Sequence, residues 1–513
     1  MTHTFFYLGQ RNIARLRSLS QQQKASQPPC CLGYPEDSHH LRPYTMGFAL
    51  SVLYFLTYYL TPPTLFGPLA VFRVELVLAI LVFFVSLPRL VGSTIFKTAQ
   101  SAALIGLAFA VVFSVMIGMH WAGGAVPAFL GFIPNAFAYF LVCLHCNTKK
   151  KLQILVVMLL SVCLFVIANG CLTFLRGVPE APRHNMNSLE VVPLPREALM
   201  IPYLCAVRSD AGDLLYRLRG LGLINDPNDL GQLLVCTIPL VFIFWKPKKI
   251  PRNFVFVLLP VCALLFGTYL THSRGALLAL VAMAVVAARR RIGTLPALGI
   301  AVGLFVAAMA LHFTGGRDIS AGSGADRTEL WSSGLQLLKS SPVFGVGMGS
   351  MPDFTDSHHT AHNSMVVCAA ELGMFGLFFW ALFLFSTVRD ALVLASPKRV
   401  TESEQALDEA EERFPFAKTA IVPIDAAEFN RLGRLMLFSL TGFLVTGWFL
   451  SRAFVMTLFL LGGMVEIVYE MALQRGMIVP RMRLARTLPY AGGLAFILVL
   501  IMYITLRVLN LTH

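Results

Sequence analysis

Apolar stretches of about twenty residues recur from residue 46 almost to residue 508, and no other feature limits the fold so sharply. A bilayer core roughly 30 Å thick takes about 20 helical residues to cross. Thirteen runs qualify, at about 46–61, 69–87, 101–118, 125–144, 154–174, 228–245, 253–270, 275–289, 295–313, 364–387, 434–450, 454–471 and 489–507. Lipid offers the backbone no hydrogen bonds, so such runs must be helices, tolerating internal Pro and Gly where neighbours re-satisfy the chain. Composition agrees, because 56% hydrophobic and 13% charged residues leave too little polar surface to coat soluble domains of this length. The expected fold is an all-α polytopic membrane protein with about 12–13 transmembrane helices and a large outer loop between the ninth and tenth.

Orientation follows from the short basic loops. If thirteen helices alternate, Lys149–Lys151, then Lys246, Lys248, Lys249 and Arg252, then Arg289–Arg291, then Arg475, Arg481, Arg483 and Arg486 all fall on one side. That side reads as cytoplasm. The net charge of +14 is then largely a matter of topology, and without a basic, aromatic-interleaved soluble module no nucleic-acid partner is expected. Residues 1–45 read as a cytoplasmic tail with no signal-peptide core, translation from Met46 being the alternative; residues 46–513 read as the membrane domain. Most of the ten cysteines lie in or near apolar runs as small hydrophobes. The single pair Cys143 and Cys146 is too little for a metal or redox centre.

Three connections are too long to be turns. The cytoplasmic insert at about 388–433 carries Glu402, Glu404, Asp408, Glu409, Glu411 and Glu412, which read as a solvated helix face. The outer loops at about 175–227 and 314–363 are where a site is expected. They and their neighbours hold ten arginines on the face that should be poor in them: Arg176, Arg183, Arg196, Arg208, Arg217, Arg219, Arg274, Arg317, Arg327 and Arg452. Guanidinium binds phosphate bidentately and does not lose its proton, so the pattern points to an anionic ligand. Arg274, at the mouth of the eighth run, is tolerable there if it faces a polar cavity or snorkels to the headgroups.

The segment His362–Gly376, HNSMVVCAAELGMFG, starts the tenth run. Asn363 reads as a helix cap, and Gly373 and Gly376 as a surface for close approach of another helix. Glu371, buried in the run, reads as a second base or as the partner of a buried arginine. His362 alone can exchange a proton near neutral pH.

Four motifs in order, GLINDPNDLGQLL, the SRGA of THSRGALLAL, DRTELWSSGLQLLKSSPVFGVGMGSM and His-Asn-x9-Gly-x-x-Gly, resemble the bacterial O-antigen ligase and Wzy-type polymerase superfamily. The resemblance runs from about residue 215 to 380, and leaves the N-terminal tail and the cytoplasmic insert uncovered. It implies transfer of a glycan from an undecaprenyl-diphosphate carrier, on the periplasmic face of the bacterial inner membrane, to lipid A-core in a ligase or to a growing glycan in a polymerase. It also implies a mechanism without metal or other cofactor. His362 then stands as general base, Arg274 and Arg327 as diphosphate clamps, and Arg217, Arg219, Asn228, Asn363 and Glu371 as substrate-binding candidates. Asp353, Asp356, His358, His359 and His362 stand as an alternative cation site. A glycolipid transporter or flippase is the alternative from another class, although no internal repeat is visible and the polar residues crowd one face.

Overall fold

A computed structural model describes residues 41–91, 93, 95–179, 201–208, 214–310, 313, 322–396, 426–478 and 481–511. Most of the N-terminal tail, Arg183, Arg196, His312, Arg317 and the acidic run Glu402–Glu412 lie outside the described residues.

Helices stand at all thirteen expected positions. They are α1 (Leu41–Leu60), α2 (Val74–Val91), α3 (Ala99–Gly118), α4 (Ala122–His145), α5 (Lys149–Leu175), α6 (Pro227–Phe244), α7 (Ile250–Leu270), α8 (Arg274–Ile292) and α9 (Thr294–Ala310), then α11 (Ser364–Leu394), α12 (Ala426–Gly447), α13 (Met456–Gln474) and α14 (Leu484–Leu511). Among the described residues, nine are long and apolar enough to cross a membrane by length and composition. Two more are shorter apolar helices, α8 carries arginines at both ends, and α12 carries them near its start. A further helix, α10 (Gly322–Ser340), lies within the connection before α11, and a two-stranded antiparallel hairpin, β1 (Leu204–Arg208) and β2 (Leu214–Leu218), lies before α6. The chain is thus an all-α, multi-pass membrane protein.

Helix boundaries differ from expectation around the insert. Charges at Arg389 and Asp390 do not end α11, which runs on to Leu394, and α12 begins at Ala426. The reason is pairing: Arg389 grips Asp390 at 2.6 Å, Gln100 donates to the same carboxylate at 2.8 Å, and Arg481 reaches it at 3.1 Å. Arg481 also holds Glu466 at 2.8 Å and stacks 4.3 Å from the Tyr469 ring. The start of α3, the end of α11, the end of α13 and the connection to α14 therefore meet at one pole. The beginnings of α5 and α12 also meet, through Lys149–Glu428 at 2.5 Å, and Arg431 ties α12 to the end of α6. At the other pole, the starts of α6, α8 and α11 meet the end of α12.

The most unusual backbone lies in α11. Gly373 has φ 64° and ψ −167°, about 13 Å along the helix from its first residue at ~1.5 Å per residue. At this break the helical bonds from Met374 to Ala370 and from Phe375 to Glu371 are open. Both halves are repaired by the Gly-rich segment 342–347: Val346 and Gly347 N–H donate to the Ala370 and Glu371 carbonyls at 3.0 Å each. Met374 and Phe375 N–H donate to the Pro342 and Val343 carbonyls at 2.8 and 3.0 Å. From its other side the segment is held by a π turn in α3, where Ser114 Oγ accepts from Met348 N–H at 3.3 Å.

The glycines thus serve differently from expectation. A Cβ on Gly373 would stand 2.3 Å from the Val343 carbonyl oxygen, so the close neighbour is an inserted loop backbone and not another helix. Gly373→Ala is expected to destabilise the protein by about 3 kcal/mol or more, through its φ/ψ and the collision together. A fall in the detergent-solubilised melting temperature, larger than for Gly376→Ala on the same helix, is the check.

Candidate active site

The two helices that face the site begin alike. His272, with φ 48°, turns the chain sharply into the cap Ser273, which opens α8 at Arg274; His362, also with φ 48°, turns it into the cap Asn363, which opens α11. A left-handed conformation is uncommon outside glycine and costs of order 1–3 kcal/mol, so the surroundings must hold both histidines in place. His272 Nδ1 bonds the Phe313 carbonyl at 2.8 Å; the carbonyl can only accept, so the proton sits on Nδ1. Asn363 Oδ1 accepts from Met365 and Val366 N–H at 2.9 and 3.2 Å, the capping expected of it.

Arg274, Arg327 and Asn228 line one open cleft together with Ser273, Thr446 and Phe449. Arg327 and Trp331 are four apart and so share a face of α10. Trp331 Nε1 donates to the Ala361 carbonyl at 2.8 Å, immediately before His362, and its ring meets Trp448 edge-on at 6.0 Å. Arg327 stands 6.0 Å over the Phe449 ring. The cleft also takes in the first turn of α8, whose N–H groups and dipole favour an anion. Two guanidinium groups and a helix N-terminus therefore converge on one opening.

His362 stands beside the cleft and is half-buried. Burial first, then the positive charge of Arg327, then His359, hold its basicity below the usual value of 6.5, with Asp226 pulling the other way. Its ring centroid lies 6.4 Å from that of His359. Among the described residues no three His, Cys, Asp or Glu side chains converge as they would around a metal ion.

The remaining candidates are distributed around the cleft. Arg217 is buried behind it, donating through Nε to the Thr271 carbonyl at 2.8 Å and through Nη2 to Asn228 Oδ1 at 3.0 Å. It braces a lining residue. Arg219 donates to the Ile201 carbonyl at 3.3 Å and is absent from the lining. Glu371 is also absent from it: its buried carboxyl faces the N–H groups of Gly349 and Met351, so its partner is main chain and not the arginine expected. Arg452 is engaged by Asp229, its Nε 2.9 Å from Oδ1 and its Nη2 on Oδ2. Thr446, Phe449 and Asp229 were missed in the sequence. The only signal was an aspartate in the first turn of an apolar helix, at Asp229.

Residues 258–381 match the family model described as O-antigen ligase. Over that stretch the chain is similar to the O-antigen ligase family. No curated protein matches the chain. The matched segment runs from Leu258 in α7 through α8, α9 and α10 to Ala381 in α11, and so includes Arg274, Arg327, His362, Asn363 and Glu371. Arg217, Arg219, Asn228 and the wall formed by Thr446 and Phe449 lie outside it, contributed by elements that fold against the matched segment.

Proposed function

We propose that this protein transfers a glycan from undecaprenyl diphosphate to a hydroxyl of lipid A-core, on the periplasmic face of the bacterial inner membrane. The observation that carries the reading is the convergence of Arg274, Arg327 and the α8 N-terminus on one cleft beside a histidine whose neutral form is favoured. In the reaction His362 takes the proton of the acceptor hydroxyl as its oxygen bonds to the anomeric carbon. The bond from that carbon to the diphosphate breaks, its electron pair leaves with the phosphate oxygen, and the two guanidinium groups hold the charge that develops. Products are the new glycoside, undecaprenyl diphosphate and a proton. Direct displacement inverts the anomeric carbon, and no step calls on a metal ion.

A carrier protein would also need cationic walls, and broken helices are where carriers bind ions. Here the carbonyls freed at the α11 break are taken up by Val346 and Gly347. The charged lining sits at one pole. Both facts favour surface chemistry over passage.

The test is a gel and lipid-carrier analysis of surface glycan from a strain lacking the protein, complemented with wild type or His362→Ala. Loss of all polymer from lipid A-core, with polymer building up on undecaprenyl diphosphate and only wild type restoring it, supports the ligase. Single repeats on lipid A-core without long chains would assign a polymerase, which the same site chemistry serves, and no difference between constructs would overturn both. Arg274→Lys keeps the charge and loses the bidentate fork. It is expected to lower kcat by about tenfold to a hundredfold, and full activity in the purified variant would remove Arg274 from the clamp.

A further inference from the structure

The connection between α12 and α13, residues 448–455, supplies Phe449 and Leu450 to the cleft. Trp448 packs on Trp331, and Phe449 lies under Arg327 and within 3.3 Å of where a Cβ on Gly275 would stand, beside Arg274. The Leu450 carbonyl accepts from Ser364 Oγ at 2.6 Å, and Ser451 Oγ bonds Thr360 Oγ1 at 2.6 Å, either side of His362. Arg452 N–H donates to Ser364 Oγ at 3.1 Å. These contacts fix the connection against the histidine side. One strong contact fixes it against the opposite wall: the two-pronged pair of Arg452 with Asp229, the residue after the cleft-lining Asn228.

Asp229 is buried, with 6% of its side chain exposed, while Arg452 is 40% exposed. A carboxylate buried to that degree is costly unless paired, and a forked guanidinium partner sets its orientation as well as its charge. We infer that Asp229 is a positioning residue for glycan transfer: by holding Arg452 it seats residues 448–452 so that Phe449 forms the platform on which Arg327 meets the diphosphate. Asp229 touches no substrate. Its effect travels from the start of α6 through Arg452 and Phe449 to Arg327, and the inference rests on the diphosphate reading of the cleft.

The pathway makes a specific kinetic demand. A misplacement of about 1 Å in a group that stabilises the transition state costs up to ~100-fold, while donor binding, shared among several groups, changes less. With purified protein and an undecaprenyl-diphosphate-linked oligosaccharide as donor, Asp229→Asn is expected to lower kcat about tenfold or more with donor KM within about threefold. Phe449→Leu should do the same. The double variant should be no slower than the slower single variant, because both changes break one path. Asp229→Glu, which keeps the charge, should recover most of the rate.

Multiplicative losses in the double variant would overturn the inference, as would Asp229→Asn raising KM with kcat intact. Should Asp229→Asn fail to accumulate as folded protein, Arg452→Gln interrogates the same contact from its exposed side and must give the same kcat loss and the same non-additivity with Phe449→Leu. Arg327→Gln separates this inference from the reading beneath it. Inactive Arg327→Gln beside normal Asp229→Asn removes the positioning role alone, whereas active Arg327→Gln removes the diphosphate clamp itself.

Discussion

Replacing His362 with alanine is expected to lower glycan transfer ~10²–10⁴-fold, the range spanned by removing a general base, with little loss of folded protein. The helix cap at Asn363 and the Trp331 bond to Ala361 do not use the imidazole, so the local frame survives the change. The pH dependence gives an independent check. The working form of the ring is neutral, and the folded protein holds its pKa below 6.5, by burial first and then by Arg327 and His359, against Asp226. The acid limb of kcat/KM, of unit slope, should therefore have its midpoint below pH 6.5. An acid limb centred above the ordinary histidine value, or one that persists in the alanine variant, would exclude His362 as the base.

The second large effect is expected far from the site. Arg481→Met removes the cation shared by Asp390 and Glu466, both buried, the first fully so. Breaking a buried pair by deleting one partner costs about 3–5 kcal/mol where a charge is left uncompensated, and that charge here is Glu466. Asp390 keeps Arg389 at 2.6 Å and Gln100 at 2.8 Å, which places the loss toward the bottom of that range. The variant should melt well below wild type by size-exclusion thermostability in detergent. Adding Glu466→Gln should return much of the lost stability. A single variant as stable as wild type would show that Arg481 does not hold this pole together. Surviving folded protein should retain transfer, because the cleft lies at the other pole.

The membrane architecture was legible because hydrophobicity is a local, additive property, and thirteen apolar runs announce thirteen helices wherever neighbours lie. The cap at Asn363 was legible for the same reason, since its partners are two and three residues away. The site was legible in part. Arg274 and Arg327 stood out as charges at the edges of apolar runs or in a connection on the cation-poor face, and the structure brings them to one cleft. What could not be read depends on pairing across the chain. Asp229 finds Arg452 across 223 residues, and neither residue's own surroundings in sequence name the other. Phe449 looks like one more apolar residue at the end of a helix; only its place beneath Arg327 gives it a role. Arg389 and Asp390 suggested the end of α11 because their partner on α3 was out of sight.

The interruption of α11 at Gly373 bears on how the chain is assembled in the cell. An ordinary membrane helix can enter the bilayer alone, since its own ladder satisfies its backbone. For α11 the first segment cannot reach its native shape until residues 342–347, which precede it in the chain, have folded back against it and supplied four hydrogen bonds. Each unmet amide there would cost several kcal/mol. The stretch that follows His362 is therefore completed only when the connection from α10 has docked, so seating this helix and building the cleft beside it are coupled, and a chain in which that connection stayed undocked would hold the helix in the membrane with its first turns unfinished.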